Sequence, residues 1–240
     1  MDVRFLPAGD TAIVVEFGDG IDRDLSDRVL RLGARIRDAG LPGVVEAVPT
    51  FRSLMVHYDP LAASSTALIE AFQALLGDER GESRKATLWR IPACYEESHA
   101  PDLREVCERT GMGPDDVVGL HSGTTFHVYM IGFVPGYPYM GDLPPSLVLP
   151  RRHDPRIRVP AGSIAIASTM TAIYPLESPG GWHLIGTTPI QLFDARWPRP
   201  ALLSPGDSVR FQPVSAREFE AIRRESEAGT YRVPGEEVRA

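Results

Sequence analysis

Lysine is almost missing from this chain: Lys85 is the only one among 25 Lys and Arg residues. Chemistry that runs through a lysine amine therefore has one candidate, and it sits in a polar stretch. Cysteine is scarce too, with only Cys94 and Cys107, spaced as neither CxxC nor a zinc pattern. They read as reduced thiols of a cytoplasmic protein. No apolar stretch approaches the ~20 residues that cross a bilayer, and Met1–Phe5 lacks the basic start and apolar core of a signal peptide. No membrane association is expected. Nor is there a basic excess: the net charge of −7 argues against a nucleic-acid partner. The GxxxxGK[ST] loop, the GxGxxG turn, HExxH and the GxSxG elbow are all absent. The six histidines show no metal-ligand spacing among themselves, so no metal site is expected, and no catalytic residue is assigned.

What is present is ordinary globular composition, 43% hydrophobic and 24% charged, in a chain long enough for one large or two small domains. Residues 1–80 read as ββαββα. Strands flank Pro7-Ala8-Gly9-Asp10, and an amphipathic helix carries Leu25, Val29, Leu32 and Ile36, opened by Asp22 and closed at Gly40. Two more strands and a helix from Ser64 or Ser65 to Gly77 complete that unit. Residues 81–86 are expected to be a linker. From 87 to 228 the chain gives short strands punctuated by Pro and Gly, the pattern of a closed antiparallel barrel, with a terminal helix opened by the capping box Ser215-x-x-Glu218. Residues 229–240 read as a frayed tail. The fold class is therefore α+β in two domains.

Three stretches carry the functional signal. The first is a strand that breaks into a Gly/Pro/aromatic loop, with Tyr129, Phe133, Pro135, Gly136, Tyr137 and Tyr139. Pro fixes φ and Gly permits close backbone approach, so the loop is stiff. It is either a binding wall or a barrel corner packed by its own aromatics. The second is Pro150 to Ser163, with Arg151, Arg156, Arg158 and Ser163. If Arg156–Val159 is extended, Arg156 and Arg158 project to one side and Ile157 and Val159 to the other. Guanidinium groups braced by prolines suit a carboxylate or phosphate; a solvated edge strand is the alternative. In the third, Ser178-Pro179-Gly180-Gly181 between Tyr174 and Trp182 offers backbone N–H groups for an oxyanion, or forms a plain hairpin loop.

Together these words resemble one family, known as the 5-oxoprolinase B component (PxpB), allophanate hydrolase subunit 1 and the KipI sporulation-kinase inhibitor. The matching text is IGFVPGYPYMGDLP (Ile131–Pro144), Pro150–Ser163, IYPLESPGGWHLIG (Ile173–Gly186) and TPIQLFD ending at Asp194. The resemblance implies a small N-terminal α/β domain before a cyclophilin-like barrel. It also implies a larger PxpC-like partner, the counterpart of allophanate hydrolase subunit 2, sometimes joined by a third component. The activity implied is ATP-dependent opening of a cyclic or small amide such as 5-oxoproline, with ATP and Mg held largely by a partner. A KipI-like inhibitor of a histidine kinase is the competing implication. Two stretches depart from the family's wording. Roughly AGGQTGIYP becomes Ala167-Ser168-Thr169-Met170-Thr171-Ala172-Ile173-Tyr174-Pro175, and IGRTP becomes Ile185-Gly186-Thr187-Thr188-Pro189. Met170 and Thr187 thus replace an amide and a cation, which points to a different substrate or reduced activity.

Overall fold

The computed structural model describes residues 3–77 and 85–239, and the chain divides into two compact units with the boundary between Lys85 and Ala86. No helix among the described residues is long and apolar enough to cross a membrane.

The first unit contains β1 (Arg4–Pro7), β2 (Ala12–Glu16), α1 (Arg23–Ala39), β3 (Val44–Pro49), β4 (Ser53–Tyr58) and α2 (Ser65–Gly77). Its four strands form an antiparallel sheet in the order β1-β2-β4-β3. Local chemistry sets the limits of α1. The Asp22 carboxylate accepts the Leu25 N–H (2.9 Å), and Gly40, at φ 55°, ends the helix in the left-handed region. Val29, Leu32 and Ile36 then fall on one face and meet Val15, Leu54 and Val56 from the sheet. Phe72 of α2 is fully buried in the same core, and its truncation to Ala is worth about 3–5 kcal/mol.

Most of the expected linker, up to residue 84, lies outside the described residues. Lys85-Ala86 are not linker: they begin β5 (Lys85–Ala93). The second unit continues with α3 (Leu103–Thr110), α4 (Pro114–Gly123), β6 (Phe126–Ile131), β7 (Pro138–Gly141), β8 (Arg156–Val159), β9 (Ser163–Ala167), β10 (Met170–Ile173), β11 (Ser178–Gly180), β12 (His183–Thr187), β13 (Ser208–Pro213), α5 (Ala216–Glu227) and β14 (Gly235–Arg239). Eight strands form one sheet, β12-β9-β10-β7-β6-β13-β5-β14, while β8 and β11 pair apart from it.

The expectation of an all-antiparallel barrel needs correcting. β13 runs parallel to β5, from Ser208 beside Leu88 to Pro213 beside Ala93, because it returns from the far end of the unit to fill the gap between β5 and β6. The sheet nevertheless curls back on itself. Cys94, just past β5, and Thr187, at the end of β12, exchange both backbone hydrogen bonds (2.8 and 2.9 Å). The tail also differs from expectation. Residues 235–239 form β14 against the outer edge of β5, where the Pro234 carbonyl accepts the Arg90 N–H (2.9 Å). An otherwise open edge supplies the reason, and Tyr231 and Val233 pack on the core nearby. The capping box at Ser215 forms with both of its limbs.

β9 is buried on both faces. Ile164 and Ile166 point into the main core, and Ala165 and Ala167 point the other way into a second cluster. The main core also holds a buried polar chain. His121 Nδ1 shares a hydrogen with the Tyr95 hydroxyl (2.8 Å), and its Nε2 with Thr171 (2.9 Å). Burial pushes the His121 pKa down to about 3.

Candidate ligand-binding face

Small residues on β9 and β10 make room for large ones. Ala165, Ala167 and Ala172 floor a cluster made by Tyr137, Tyr174, Trp182, Val159 and Leu184, with Val134, Tyr139 and Met170 packed at its border. Tyr137 is its hub: its ring lies 5.0 Å from Tyr139, 5.1 Å from Tyr174, 6.3 Å from Trp182 and 5.4 Å from Phe133. These separations suit edge-to-face packing, each pair adding about 0.5–1.5 kcal/mol beyond area.

The loop that delivers Tyr137 is held by its own backbone. Val134 N–H donates to Gly132 O (2.9 Å), Tyr137 N–H to Val134 O (3.1 Å) and Gly132 N–H to Tyr137 O (3.1 Å). Gly136 is left-handed (φ 78°), and a Cβ there would come 2.7 Å from Phe193 Cβ. Phe133 is left-handed too (φ 70°), a conformation that costs a non-glycine residue energy, yet the residue is 59% exposed. Pro135 is exposed at the tip. Tyr129 is not brought to the cluster. It lies at an irregularity in the β6–β7 ladder, packs on His127 and over Gly141, and donates to Asp142 (3.3 Å).

Arg156 and Arg158 do not act as a pair. The ladder between β8 and β11 pairs Ser178 with Val159 and Gly180 with Arg156, a shift that leaves one extra residue on β8. The alternation therefore breaks. Arg156 and Val159 turn inward, whereas Ile157 is 87% exposed and Arg158 stands in solvent with Glu177 (2.9 Å). Ser178–Gly180 is strand rather than an open turn, so Gly180 is not part of a free nest of N–H groups. A Cβ on Gly180 would overlap the Tyr174 hydroxyl, and the Gly181 carbonyl accepts the Arg152 N–H (2.8 Å). Ser163 is buried at the start of β9, and its carbonyl accepts the Tyr174 N–H (2.9 Å).

A group of side chains that local sequence did not single out lies behind this face. Asp102, at the entry to α3, is 4% exposed. Its carboxylate accepts from Arg156 (2.5 Å), Arg152 (3.3 Å) and the Leu184 N–H (2.7 Å). Glu105, one turn later, accepts from Arg152 (2.5 Å) and Arg109 (3.5 Å). His183 is fully buried, with Nε2 3.0 Å from the Pro150 carbonyl. The same nitrogen lies 3.5 Å from Arg109 Nη1, and Nδ1 faces Glu105 at 3.7 Å. The only local signal was an acidic residue at a helix start. Its arginines lie some 50 residues further on, beyond any periodicity.

Arg151 differs from its neighbours. Its guanidinium lies over the Trp182 ring, 5.8 Å from the centroid. Among the described residues no carboxylate neutralises it, whereas Arg152, Arg156 and Arg158 all have one. Burial raises the pKa of Tyr137, Tyr139 and Tyr174, and Arg151 pulls each back down. Tyr137, Tyr174 and Trp182 are themselves buried, so what this face presents to solvent is the half-buried Tyr139, the exposed Phe133 and one uncompensated cation, a setting that suits a small anion. Met170 gives it an apolar border. Thr187 lies at the closure of the sheet, donating to the His99 carbonyl (2.8 Å).

Residues 3–203 match the family described as carboxyltransferase domain, subdomain C and D. The B component of the Bacillus subtilis 5-oxoprolinase is 35% identical over 231 residues, 91% of this chain and 95% of that protein. That of Escherichia coli O157:H7 is 40% identical over 205 residues, 85% and 93% of the two. The urea amidolyase of Lachancea kluyveri is 27% identical across 98% of this chain, which spans only 14% of that protein. Among solved structures, TTHA0988 superposes with a TM-score of 0.77 at 36% identity, covering 85% of this chain and 40% of that one. The K. lactis urea amidolyase, at 24% identity and a TM-score of 0.80, shares the fold over 98% of this chain and 16% of its own.

Proposed function

The chain belongs to the carboxyltransferase domain, subdomain C and D family, alongside the 5-oxoprolinase B components, and from that premise we propose that it is the smaller subunit of a cytoplasmic ATP-dependent amide hydrolase opening 5-oxoproline to glutamate. The observation that carries this reading is the meeting of three separate stretches on one face. The loop at Tyr137 and Tyr139, the Arg151 segment and the Tyr174–Trp182 segment come together through ring contacts of 5–6 Å. A small lactam bearing a carboxylate suits the charge of this face: Arg151 is a cation for its acid, and the partly exposed Tyr139 and exposed Phe133 border it, while the buried Tyr137, Tyr174 and Trp182 stiffen the wall behind. Residues 86–238 are read as a cyclophilin-like barrel, which by itself fixes no activity.

ATP and Mg2+ do not fit the residues of this face. Among the described residues no three His, Cys, Asp or Glu side chains gather into a metal site, and Asp102, Glu105 and Glu177 are each engaged by arginine. The nucleotide is therefore assigned to a partner, the larger PxpC-like protein with or without a third component. This chain's part is to hold and orient the amide and keep water from it.

Co-expression with the partner proteins and an assay of ATP hydrolysis with 5-oxoproline tests the reading. Turnover that requires this chain supports it, and a fully assembled complex that is inert toward 5-oxoproline removes it. Allophanate serves as the second substrate in that assay, because the urea amidolyases align over nearly all of this chain. Turnover of allophanate alone would move the assignment to that amide.

A further inference from the structure

We propose that Arg151 is the residue that receives the ligand's carboxylate, and that Asp102 and Glu105 are the positioning residues that leave it alone to do so. The choice of a small carboxylate as ligand rests on the reading above.

Four arginines lie between residues 151 and 158, and any of them would attract an anion. Internal acids remove three. Asp102 binds Arg156 and Arg152, Glu105 shares Arg152, and Glu177 takes Arg158 in a two-point contact of 2.9 Å at both Nε and Nη2. Of the three, only Arg158 has its fork filled; Arg152 Nε and Arg156 Nη1 are buried without a partner, but the charge of each of these arginines is balanced by a carboxylate. Arg151 keeps its fork, and its charge is the local excess on that face. The Arg151 Cζ lies 5.8 Å from the centre of the Trp182 ring, a contact that uses none of the guanidinium N–H groups and leaves them for a carboxylate.

His183, the Gly181 carbonyl and these acids together hold the chain on both sides of Arg151. Before it, the Pro150 carbonyl accepts from His183 Nε2 (3.0 Å). After it, the Arg152 N–H donates to Gly181 O (2.8 Å), and the Arg152 guanidinium spans Asp102 and Glu105. Asp102 is itself tied to β12 through the Leu184 N–H (2.7 Å). Trp182 and His183 are adjacent, so one short segment carries both the ring under Arg151 and the imidazole that holds Pro150. Arg151 is thus placed before any ligand arrives, which lowers the ordering cost of binding.

The test uses the full chain and two probes, acetate and 5-oxoproline. The Nε–H signal of Arg151 is identified in a 15N-edited NMR spectrum by its loss in Arg151→Lys. Titration of either carboxylate should shift that signal, and 5-oxoproline should also perturb the Trp182 indole signal. Glu105→Gln keeps an acceptor for Arg152 but loses the charge, and Glu105 is 41% exposed, so the variant folds. It should weaken binding about tenfold, and Arg151→Ala should abolish saturable binding. In ATP turnover by the complex, Arg151→Ala should raise KM far more than it lowers kcat, and adding Glu105→Gln to Arg151→Ala should raise KM no further. Carboxylates that leave the Arg151 signal unmoved would overturn the inference. A KM effect of Glu105→Gln that persists undiminished in the Arg151→Ala background would overturn the positioning role. A complex inert toward 5-oxoproline, in a chain whose Arg151 still binds acetate, would sink the enzymatic reading and leave the anion site standing.

Discussion

The hydroxyl of Tyr174 occupies the space in which a side chain on Gly180 would begin. This contact joins β11 to the aromatic face, and it explains why a glycine is needed at a position that is ordinary strand. Gly180→Ala should cost about 1–3 kcal/mol through overpacking. Tyr174→Phe removes the obstructing oxygen, so the double variant should be less destabilised than the two single effects added together. Urea denaturation of all four proteins decides it; simple additivity would mean the contact is not felt.

Asp102 is a buried acid whose oxygens meet two guanidinium groups and a backbone N–H. Asp102→Ala leaves Arg152 and Arg156 half-buried beside an empty acceptor, so a loss of about 3–5 kcal/mol is expected. Glu177→Ala is the control, since its pair with Arg158 is solvent-exposed and its loss should barely move the midpoint. Comparable midpoints for the two variants would contradict the arrangement described.

His121 supplies a pH dependence whose sign follows from its surroundings. Buried against Phe126 and Phe211, it has a pKa of about 3 in the folded protein, below its ordinary value of 6.5. The neutral ring is favoured by folding, so its contribution is intact above about pH 6.5 and is lost as pH falls toward about 3. Between about pH 7 and pH 5 this amounts to roughly 2 kcal/mol. His121→Gln should lose stability less steeply over that window than the natural protein. Parallel slopes would show that other groups govern acid unfolding.

Phe133 combines a left-handed backbone with high exposure. Phe133→Gly should leave stability unchanged or raise it by up to about 1 kcal/mol, because the strain is relieved and little burial is lost. A clear loss in thermal unfolding would show that the ring is retained for folding rather than for something it meets at the surface.

The first unit was legible because its signals are local. Asp22 and Gly40 mark α1 within a residue of where it begins and ends, β2 is a short apolar run, and burial alternates along β4. The second unit was legible where a strand is long, as in β6 and β9. It was not where three or four residues are extended only because a distant partner pairs with them, as in β7, β10 and β11. The aromatic words and Arg151 stood out in sequence and do come together. The pairing of Arg156 with Arg158 failed because one extra residue on β8 rotates them apart, and spacing cannot foresee such an irregularity. Asp102 was out of reach for another reason: its importance lies in which arginines the topology brings to it.

β13 is made about 120 residues after β5 and yet lies between β5 and β6. During synthesis, β5 and β6 therefore emerge with the strand that will separate them still inside the ribosome. Until residues 208–213 appear, each offers a row of unsatisfied amides, and so the second unit closes late. A chain stopped short of residue 208 would keep two sticky borders, and clumping rather than a smaller soluble domain is the outcome to expect.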